Sequence, residues 1–259
     1  MQLGEPIKKQ YINFETKQHE IISLLLKFRH LSQPQIQELL NHKAKERIRT
    51  TLNQLTESGY IIRDFELEIA RTPAQYSLGL KGIGYLRDQN IDPNLLKRLY
   101  NERTHKEAYR EHSLFIADIY LSLKKLVAGT DAVFYFKTKT EMYNLRYLIL
   151  PHPDSYIYIH YPDEEIKHYF LDVFEDRTII KKRVYQYLKY YRKQYWQSKT
   201  KTEFPEIFFI YPDESTKKYM YQYIQKIASN NTPSFYLTTK EQVKKLGLCK
   251  EVLEKVEIY

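Results

Sequence analysis

Two aspartates, Asp154 and Asp172, are the residues of this chain whose positions come closest to a catalytic pattern. Asp154 follows a proline just before the strand-like segment "SYIYIHYP", and Asp172 lies near the end of the next such segment, "KHYFLDVF". If these strands pair as a hairpin, the two carboxylates converge and can hold Mg²⁺, which polarises a phosphate and activates a bound water. Acids are also common on the solvated edge of an ordinary sheet, so both interpretations stay open.

A metal-dependent phosphodiesterase would need further groups beside these two aspartates. Glu107 and Glu111 are four residues apart on the preceding helical segment and share a face, so Glu111 could supply a third carboxylate. A lysine that offsets developing charge is expected two residues after the second aspartate, but that position is Phe174. Lys181 or Lys182, in the following helix, would have to replace it.

The overall charge favours an anionic partner. The chain has 41 lysines and arginines against 32 acids, for a formal net charge of +9, and its pI is about 9.2. Nucleic acid or another anionic surface is the partner that such a balance indicates. Only seven glycines occur and neither GxGxxG nor GxxxxGK[ST] is present, which argues against a nucleotide-cofactor enzyme.

Cysteine usage and hydropathy indicate the compartment. The single cysteine, Cys249, cannot form an intrachain disulfide or a metal site of several thiolates. No apolar run reaches the roughly 18 residues of a membrane span, and the first residues lack the apolar stretch of a secretory signal. We therefore expect a cytoplasmic protein with no membrane partner.

The first hundred residues predict three helices followed by a hairpin. Apolar residues recur at helical spacing up to Phe28, Ser32 and Pro34 mark the start of a short second helix, and Gly59 ends a third. This order is that of a winged helix-turn-helix, whose third helix enters the major groove of DNA.

The polar face of the third helix carries side chains that reach bases and phosphates. Together with the hairpin tip, the candidate DNA-binding residues are Lys43, Arg47, Arg49, Thr50, Asn53, Gln54 and Arg71. The same face can instead be merely solvated, or the unit can dock a protein.

From residue 101 onward, helices alternate with strands. Strand-like runs "AVFYFKTK", "RYLILP", "SYIYIHYP" and "KHYFLDVF" follow a helical region, and "EIFFIYP" and "SFYLTT" then alternate with helices. Antiparallel strands that lead into a βαβ unit predict a mixed sheet with helices on its faces. The expected fold class is therefore α+β or α/β, with a winged helix-turn-helix domain at residues 1–100 and an α/β domain at residues 101–259.

The helical segment after the second aspartate has no acid between Arg177 and Lys201, although it is rich in basic residues and tyrosines. Basic side chains neutralise phosphates, and aromatic rings can stack on the bases of a single strand. Alternatively, the rings pack on the sheet and the lysines are only solvated. We expect a split between two faces, inward for Val184, Tyr187, Leu188 and Tyr191, and outward for Lys182, Lys189, Arg192 and Lys193.

Several short motifs together resemble one protein family. They are "LTESGYIIRD", "YSLGLKGIGYL", "EHSLFIADIYLSL", the Pro153-Asp154 pair, "YFLDVFEDRT" and "KKRVYQYLKYY". This series resembles the replication-relaxation proteins of plasmids and integrated mobile elements over most of the chain. The resemblance implies a winged helix joined to a restriction-endonuclease-like α/β domain similar to the PD-(D/E)xK nucleases.

The resemblance also implies roles for individual residues. The family's helix signature matches His112 and Asp118, and its PD motif matches Asp154. Its strand acid matches Asp172, and its downstream lysine matches Lys181 or Lys182. His112 taken by itself can equally be a structural hydrogen-bonding residue. The family's E-x-D-R-G-T reads "DVFEDRT" here, with an apolar residue inserted, and this departure bears on catalysis more than on the fold.

These observations predict a DNA-binding accessory protein of a plasmid or mobile element, acting in replication, transfer or their control. Its nuclease-like domain would bind without cutting and need no cofactor. The alternative is a Mg²⁺-dependent endonuclease or nickase with Asp154, Asp172 and Glu111 as ligands and Lys181 or Lys182 nearby. A second alternative is a protein-docking module. The expected partners are double-stranded DNA, single-stranded DNA as a second ligand, replication or transfer proteins, and a second copy of the chain.

Overall fold

The structure is a computed structural model that describes residues 16–42, 44–64, 73–102, 107–162, 166–229 and 231–258. Within these residues, no helix is both long and apolar enough to cross a membrane.

The N-terminal part runs helix, strand, two helices and two strands, and its three short strands form an antiparallel sheet in the order β1-β3-β2. The elements are α1 (Thr16–Phe28), β1 (His30–Ser32), α2 (Gln33–Leu39), α3 (Lys45–Glu57), β2 (Ile61–Asp64) and β3 (Gln75–Leu78).

Local sequence signals account for the ends of α2 and α3. The Ser32 hydroxyl accepts from the Gln35 N–H, and the Gln35 side chain accepts from the Ser32 N–H, which completes a capping box with Pro34 in the first turn. Gly59 follows α3 with φ of 77°, a conformation that costs glycine little. Both predicted boundaries are confirmed.

The rest of the chain forms one mixed sheet with helices on both faces. Its elements are α4 (Leu80–Asp88), α5 (Pro93–Glu102), α6 (Glu107–Val127), β4 (Val133–Thr138), α7 (Lys139–Met142), β5 (Ser155–His160), β6 (Lys167–Val173), α8 (Ile180–Arg192), α9 (Tyr195–Thr200), β7 (Glu206–Tyr211), α10 (Glu214–Ile227), β8 (Phe235–Thr239), α11 (Lys240–Leu246), a 3₁₀ turn (Lys250–Val252) and β9 (Glu254–Lys255).

The six strands follow chain order, β4-β5-β6-β7-β8-β9. β4, β5 and β6 are antiparallel neighbours, β6, β7 and β8 are parallel, and β9 is antiparallel again. Because side chains alternate along a strand, Leu171 and Val173 pack on the face covered by α6, while Phe170 packs on the face covered by α8 and α9. The predicted mixed α and β fold is confirmed at this level.

Two predicted elements differ in the structure. The apolar run Arg146–Pro151 is not a strand but a series of turns, in which Leu148 and Ile149 are buried against the α8 side of the sheet. Its apolar composition therefore reflects burial and not strand pairing. The helical segment predicted after the second aspartate is two helices, α8 and α9, because Gln194 takes a left-handed conformation with φ of 51°.

The apolar core crosses the predicted boundary between residues 100 and 101. One cluster of buried side chains extends from Ile21 in α1 through α6 to Val252. Polar contacts follow the same route, since Lys27 donates to the Phe136 carbonyl at 2.8 Å. Gln35 also donates to the Asp118 carboxylate at 2.6 Å. Helix α1 thus contacts β4 directly, and α2 contacts α6.

Candidate functional site

Asp154 lies immediately before β5, with only 5% of its surface exposed. One carboxylate oxygen, Oδ2, accepts from the backbone N–H of Val173 at 2.7 Å. The other, Oδ1, accepts from His112 Nε2 at 3.0 Å and from Lys139 Nζ at 2.5 Å. Three donors from three different elements therefore surround this carboxylate.

His112 bridges Asp154 to a second carboxylate. Its Nδ1 lies 2.9 Å from Glu175 Oε1, and Lys240 donates to the other oxygen of Glu175. We call His112, Lys139, Asp154, Glu175 and Lys240 the histidine cluster. Burial alone would lower the pKa of His112, but Asp154 and Glu175 outweigh it and raise the pKa to about 9. At neutral pH both ring nitrogens are therefore protonated and donate.

The acids of the histidine cluster are correspondingly held in the charged form. Burial alone would raise the pKa of Asp154, but Lys139 and His112 hold it well below its usual range. Burial also opposes ionisation of Glu175, and the hydrogen bonds from His112 and Lys240 lower its pKa. Three cations thus neutralise two carboxylates in the histidine cluster.

Asp172 is buried and tied to α8. Arg183 Nε donates to Asp172 Oδ2 at 2.8 Å and Arg183 Nη2 to Oδ1 at 3.2 Å, while the Tyr187 hydroxyl donates to Oδ2 at 2.6 Å. Arg183 Nη1 also donates to the Pro151 carbonyl at 2.7 Å. Burial would lower the pKa of Arg183, but Asp172 raises it further above its ordinary value.

The structure brings the two predicted aspartates together. Asp154 and Asp172 line one cavity of about 390 Å³, along with His112, Lys139 and Arg183. The expected hairpin is present, since β5 and β6 pair with Ser155 opposite Leu171.

Lys181 and Lys182 do not line this cavity. Both are exposed, and Lys181 Nζ lies over the rings of Tyr219 and Tyr223, 4.8 and 4.9 Å from their centres. Phe174, in the expected lysine position, is buried and stacks on Tyr211 with an interplanar angle of 13°. Lys181 therefore makes cation–π contacts with α10, and Phe174 packs in the core.

The lysine at the cavity is Lys139, which the sequence reasoning missed. It follows Thr138, and Thr138 lies opposite Ser155 in the β4–β5 register, so Lys139 is brought beside Asp154. The available signal was a basic residue at one strand end and an acid at the start of the next strand, which depends on the pairing register.

All four carboxylate oxygens of Asp154 and Asp172 accept from protein donors. A Mg²⁺ ion at this place would have to compete with these donors for the oxygens. Glu107 and Glu111 are exposed and lie outside the cavity lining. Among the described residues, no group of three or more histidines, cysteines and acids is arranged to hold a metal ion.

The predicted polar face of α3 is exposed in the structure. Ile48, Leu52 and Leu55 are buried. On the opposite side the exposed residues are Arg47, Arg49, Thr50 and Gln54, with Asn53 half-buried. Arg49 pairs with Glu46 at 2.8 Å. Two further candidate residues, Lys43 and Arg71, lie outside the described residues.

The burial pattern of α8 largely follows the predicted split. Val184, Tyr187 and Leu188 are buried and Tyr191 is half-buried, whereas the four basic residues expected outside, Lys182, Lys189, Arg192 and Lys193, are exposed. Arg183 is the basic residue that the sequence reasoning did not place inside.

A family model described as replication-relaxation matches residues 22–207, which is most of the chain. The chain belongs to the replication-relaxation family. The matched range holds α3 and four of the five residues of the histidine cluster, while Lys240 lies beyond it. Membership of the replication-relaxation family suggests a role in the replication or relaxation of plasmid or mobile-element DNA. No curated protein matches the chain.

Proposed function

We propose that this protein is a DNA-binding accessory factor in plasmid or mobile-element replication, transfer or their control. A winged helix at residues 1–100 would contact the duplex. The domain at residues 101–259 would be nuclease-like in fold and serve as a binding or assembly platform that does not cut. The exposed polar face of α3 is the observation that carries the proposal.

The connectivity of the N-terminal part supports a winged helix. Its elements follow the order α1, β1, α2, α3, β2 and β3, with β3 central in the small sheet. In a winged helix of this order, α3 would be the recognition helix. Arginine, glutamine and asparagine are the side chains that read base edges and phosphates in the major groove. On α3 these residues are Arg47, Arg49, Asn53 and Gln54.

Duplex binding can be tested by fluorescence anisotropy with a labelled random-sequence duplex of about 30 base pairs, titrated at several salt concentrations. The Arg47→Ala, Arg49→Ala double variant should bind about tenfold more weakly, with a salt slope reduced by up to about 2. The matched control is Lys218→Ala, Lys226→Ala, which removes two exposed charges from α10. Wild-type protein that fails to bind the duplex, or a double variant that binds as wild type does, would overturn the proposal and favour a protein-docking role.

The engaged carboxylates support binding without cutting. A metal would have to displace the donors that now satisfy Asp154 and Asp172, and these donors include two cations, Lys139 and Arg183. Displacing Arg183 leaves a buried positive charge without its counterion near the incoming Mg²⁺, which is unfavourable.

A Mg²⁺-dependent nickase is the second candidate, because the two aspartates and a lysine share one cavity. The purified protein should leave supercoiled plasmid intact in Mg²⁺ or Mn²⁺. Nicking by wild-type protein that is lost on Asp154→Ala and kept on Asp131→Ala would instead establish the enzyme. Asp131 is a suitable control because it is exposed and does not line the cavity.

We also propose that the protein acts as a homodimer, since winged-helix proteins commonly read palindromic sites as dimers. The molar mass in solution, measured by light scattering after size exclusion, tests this. A mass near 31.4 kDa, that of one chain, at every concentration would contradict it.

A further inference from the structure

Three aromatic residues lie side by side across β4, β5 and β6. Tyr135 pairs with Tyr158, and Tyr158 pairs with His168, in the registers of the two antiparallel ladders. The rings of Tyr135 and Tyr158 stack with centroids 4.5 Å apart and an interplanar angle of 16°. The His168 ring lies 5.9 Å from that of Tyr158. We call these three residues the aromatic sheet face.

The aromatic sheet face is partly open to solvent. Tyr135 is 49% exposed, and Tyr158 and His168 are half-buried. Trp196 of α9 contacts Tyr156 and His168 at one end of the row. Tyr135, at the β4 end, is the most exposed of the three rings. About half of the Tyr135 side chain therefore stays accessible to a ligand.

The opposite side of β4 shows what a packing role looks like. Phe134 and Phe136 alternate with Tyr135 and lie against Tyr120 of α6, with centroids 5.6 and 5.3 Å from the Tyr120 ring. Phe136 is buried. The strand thus places phenylalanine against the core and tyrosine on the open side.

Basic residues lie on the elements that carry or adjoin the aromatic sheet face. Lys137 is two residues after Tyr135, which places it on the same side of β4. The α9 segment that carries Trp196 contributes exposed lysines at 193, 199 and 201, and no acid occurs in the chain from Arg177 to Lys201. The charge pattern therefore complements a polyanion that also offers flat apolar surfaces.

We propose that the aromatic sheet face binds single-stranded DNA, with an unpaired base stacked on the face of the Tyr135 ring that Tyr158 leaves open and phosphates paired with lysines of β4 and of the α9 segment. Stacking requires the open face of a base, which a duplex hides, so this surface selects single strands. The proposal rests on the proposed function only in taking DNA as the ligand. It assigns a second surface, separate from α3.

The test measures the fluorescence anisotropy of a labelled oligothymidine of about 15 nucleotides as the 259-residue chain is added. The labelled duplex of about 30 base pairs is titrated in parallel. Tyr135→Ala should weaken single-strand binding about tenfold and leave duplex binding unchanged, whereas Tyr135→Phe should bind the single strand as wild type does. Tyr219→Ala, which removes a tyrosine of matched 48% exposure from α10, is the control and should change neither.

A Tyr135→Trp variant gives a second readout that does not depend on a loss of binding. Its new indole should be quenched by oligothymidine, while the native Trp196, the only tryptophan of the chain and a buried one, supplies the reference signal. Tyr135→Ala that binds oligothymidine as tightly as wild type, or Tyr135→Trp that shows no quenching, would overturn the inference. A protein would then be the remaining candidate ligand for the aromatic sheet face. Wild-type protein that binds the oligothymidine but not the duplex would overturn only the proposed role of α3.

Discussion

At the scale of single residues, the candidate site is governed by how buried charges are paired. Asp172 and Arg183 are both buried, and each supplies the partner that the other needs away from water. Such a pair need not exceed an apolar pair in stability, but removing one member leaves an uncompensated charge. The strand acid of the sequence prediction is therefore a structural anchor for α8 in this fold.

Replacing Asp172 by asparagine should destabilise the protein by about 3 kcal/mol, because the Arg183 charge stays buried without its counterion. Urea unfolding followed by circular dichroism measures the loss. Asp176→Asn, an exposed change four residues along the chain, should leave the midpoint unchanged. Equal effects of the two substitutions would contradict a structural role for Asp172.

The histidine cluster should make stability depend on pH. The pKa of His112 is raised from 6.5 to about 9 in the folded protein, so its stabilising effect is fully present below pH 6.5 and lost as the pH rises through about 9. Wild type should therefore have a higher free energy of unfolding than His112→Gln at pH 6. The difference between the two proteins should shrink by up to about 3 kcal/mol between pH 6 and pH 9.5.

Urea titrations of wild type and His112→Gln at both pH values measure this difference, and comparing the two proteins cancels other titrating groups. A gap that stays constant or widens toward high pH would show that His112 is not the protonated bridge between Asp154 and Glu175.

At the scale of elements, the break between α8 and α9 positions Trp196. The periodicity of the segment favours one continuous helix, but Gln194 adopts φ of 51° and turns the chain so that Trp196 reaches Tyr156 and Phe170. A left-handed conformation is unfavourable for a residue with a Cβ atom. The burial of Trp196, which is 1% exposed, compensates for that local cost.

Gln194→Gly should stabilise the protein by up to about 1 kcal/mol, because glycine adopts this conformation without strain. Lys189→Gly, at an exposed position inside α8, should instead destabilise by about 1 kcal/mol. Thermal unfolding of the two variants gives the comparison, and destabilisation by both would mean that the break is not strained at Gln194.

At the scale of the whole molecule, the N-terminal part and the large sheet share one apolar core. Ile21 and Leu25 of α1 belong to the same cluster of buried residues as Ile119 of α6 and Ile157 of β5. Removing the first part would expose apolar surface on α6 to water. We therefore expect the two proposed domains to unfold together.

Leu25→Ala should lower the unfolding free energy by about 2–5 kcal/mol, since it opens a cavity at a fully buried position. The fluorescence of Trp196, far along the chain, should report the same shifted transition as far-ultraviolet circular dichroism. Leu80→Ala, at a 58% exposed position, should move neither signal appreciably. A Trp196 transition that stays in place while the dichroism shifts would show two independent units.

Local patterns were sufficient for much of the fold because helix caps, periodicity and turns act over a few residues. Ser32 and Gly59 predicted the ends of α2 and α3, and the strand-like runs predicted β5 and β6. The apolar run at residues 146–151 was misassigned as a strand, because a buried turn and a buried strand have the same composition.

The sequence by itself predicted the mixed fold and the exposed polar face of α3, and it gave the convergence of Asp154 and Asp172 as one of two alternatives. Only the tertiary structure decided which groups satisfy those acids. Lys139, His112 and Arg183 reach them across strand register and helix packing, which no local spacing encodes. The same packing left Tyr135 open on one side of β4 and buried Phe136 on the other.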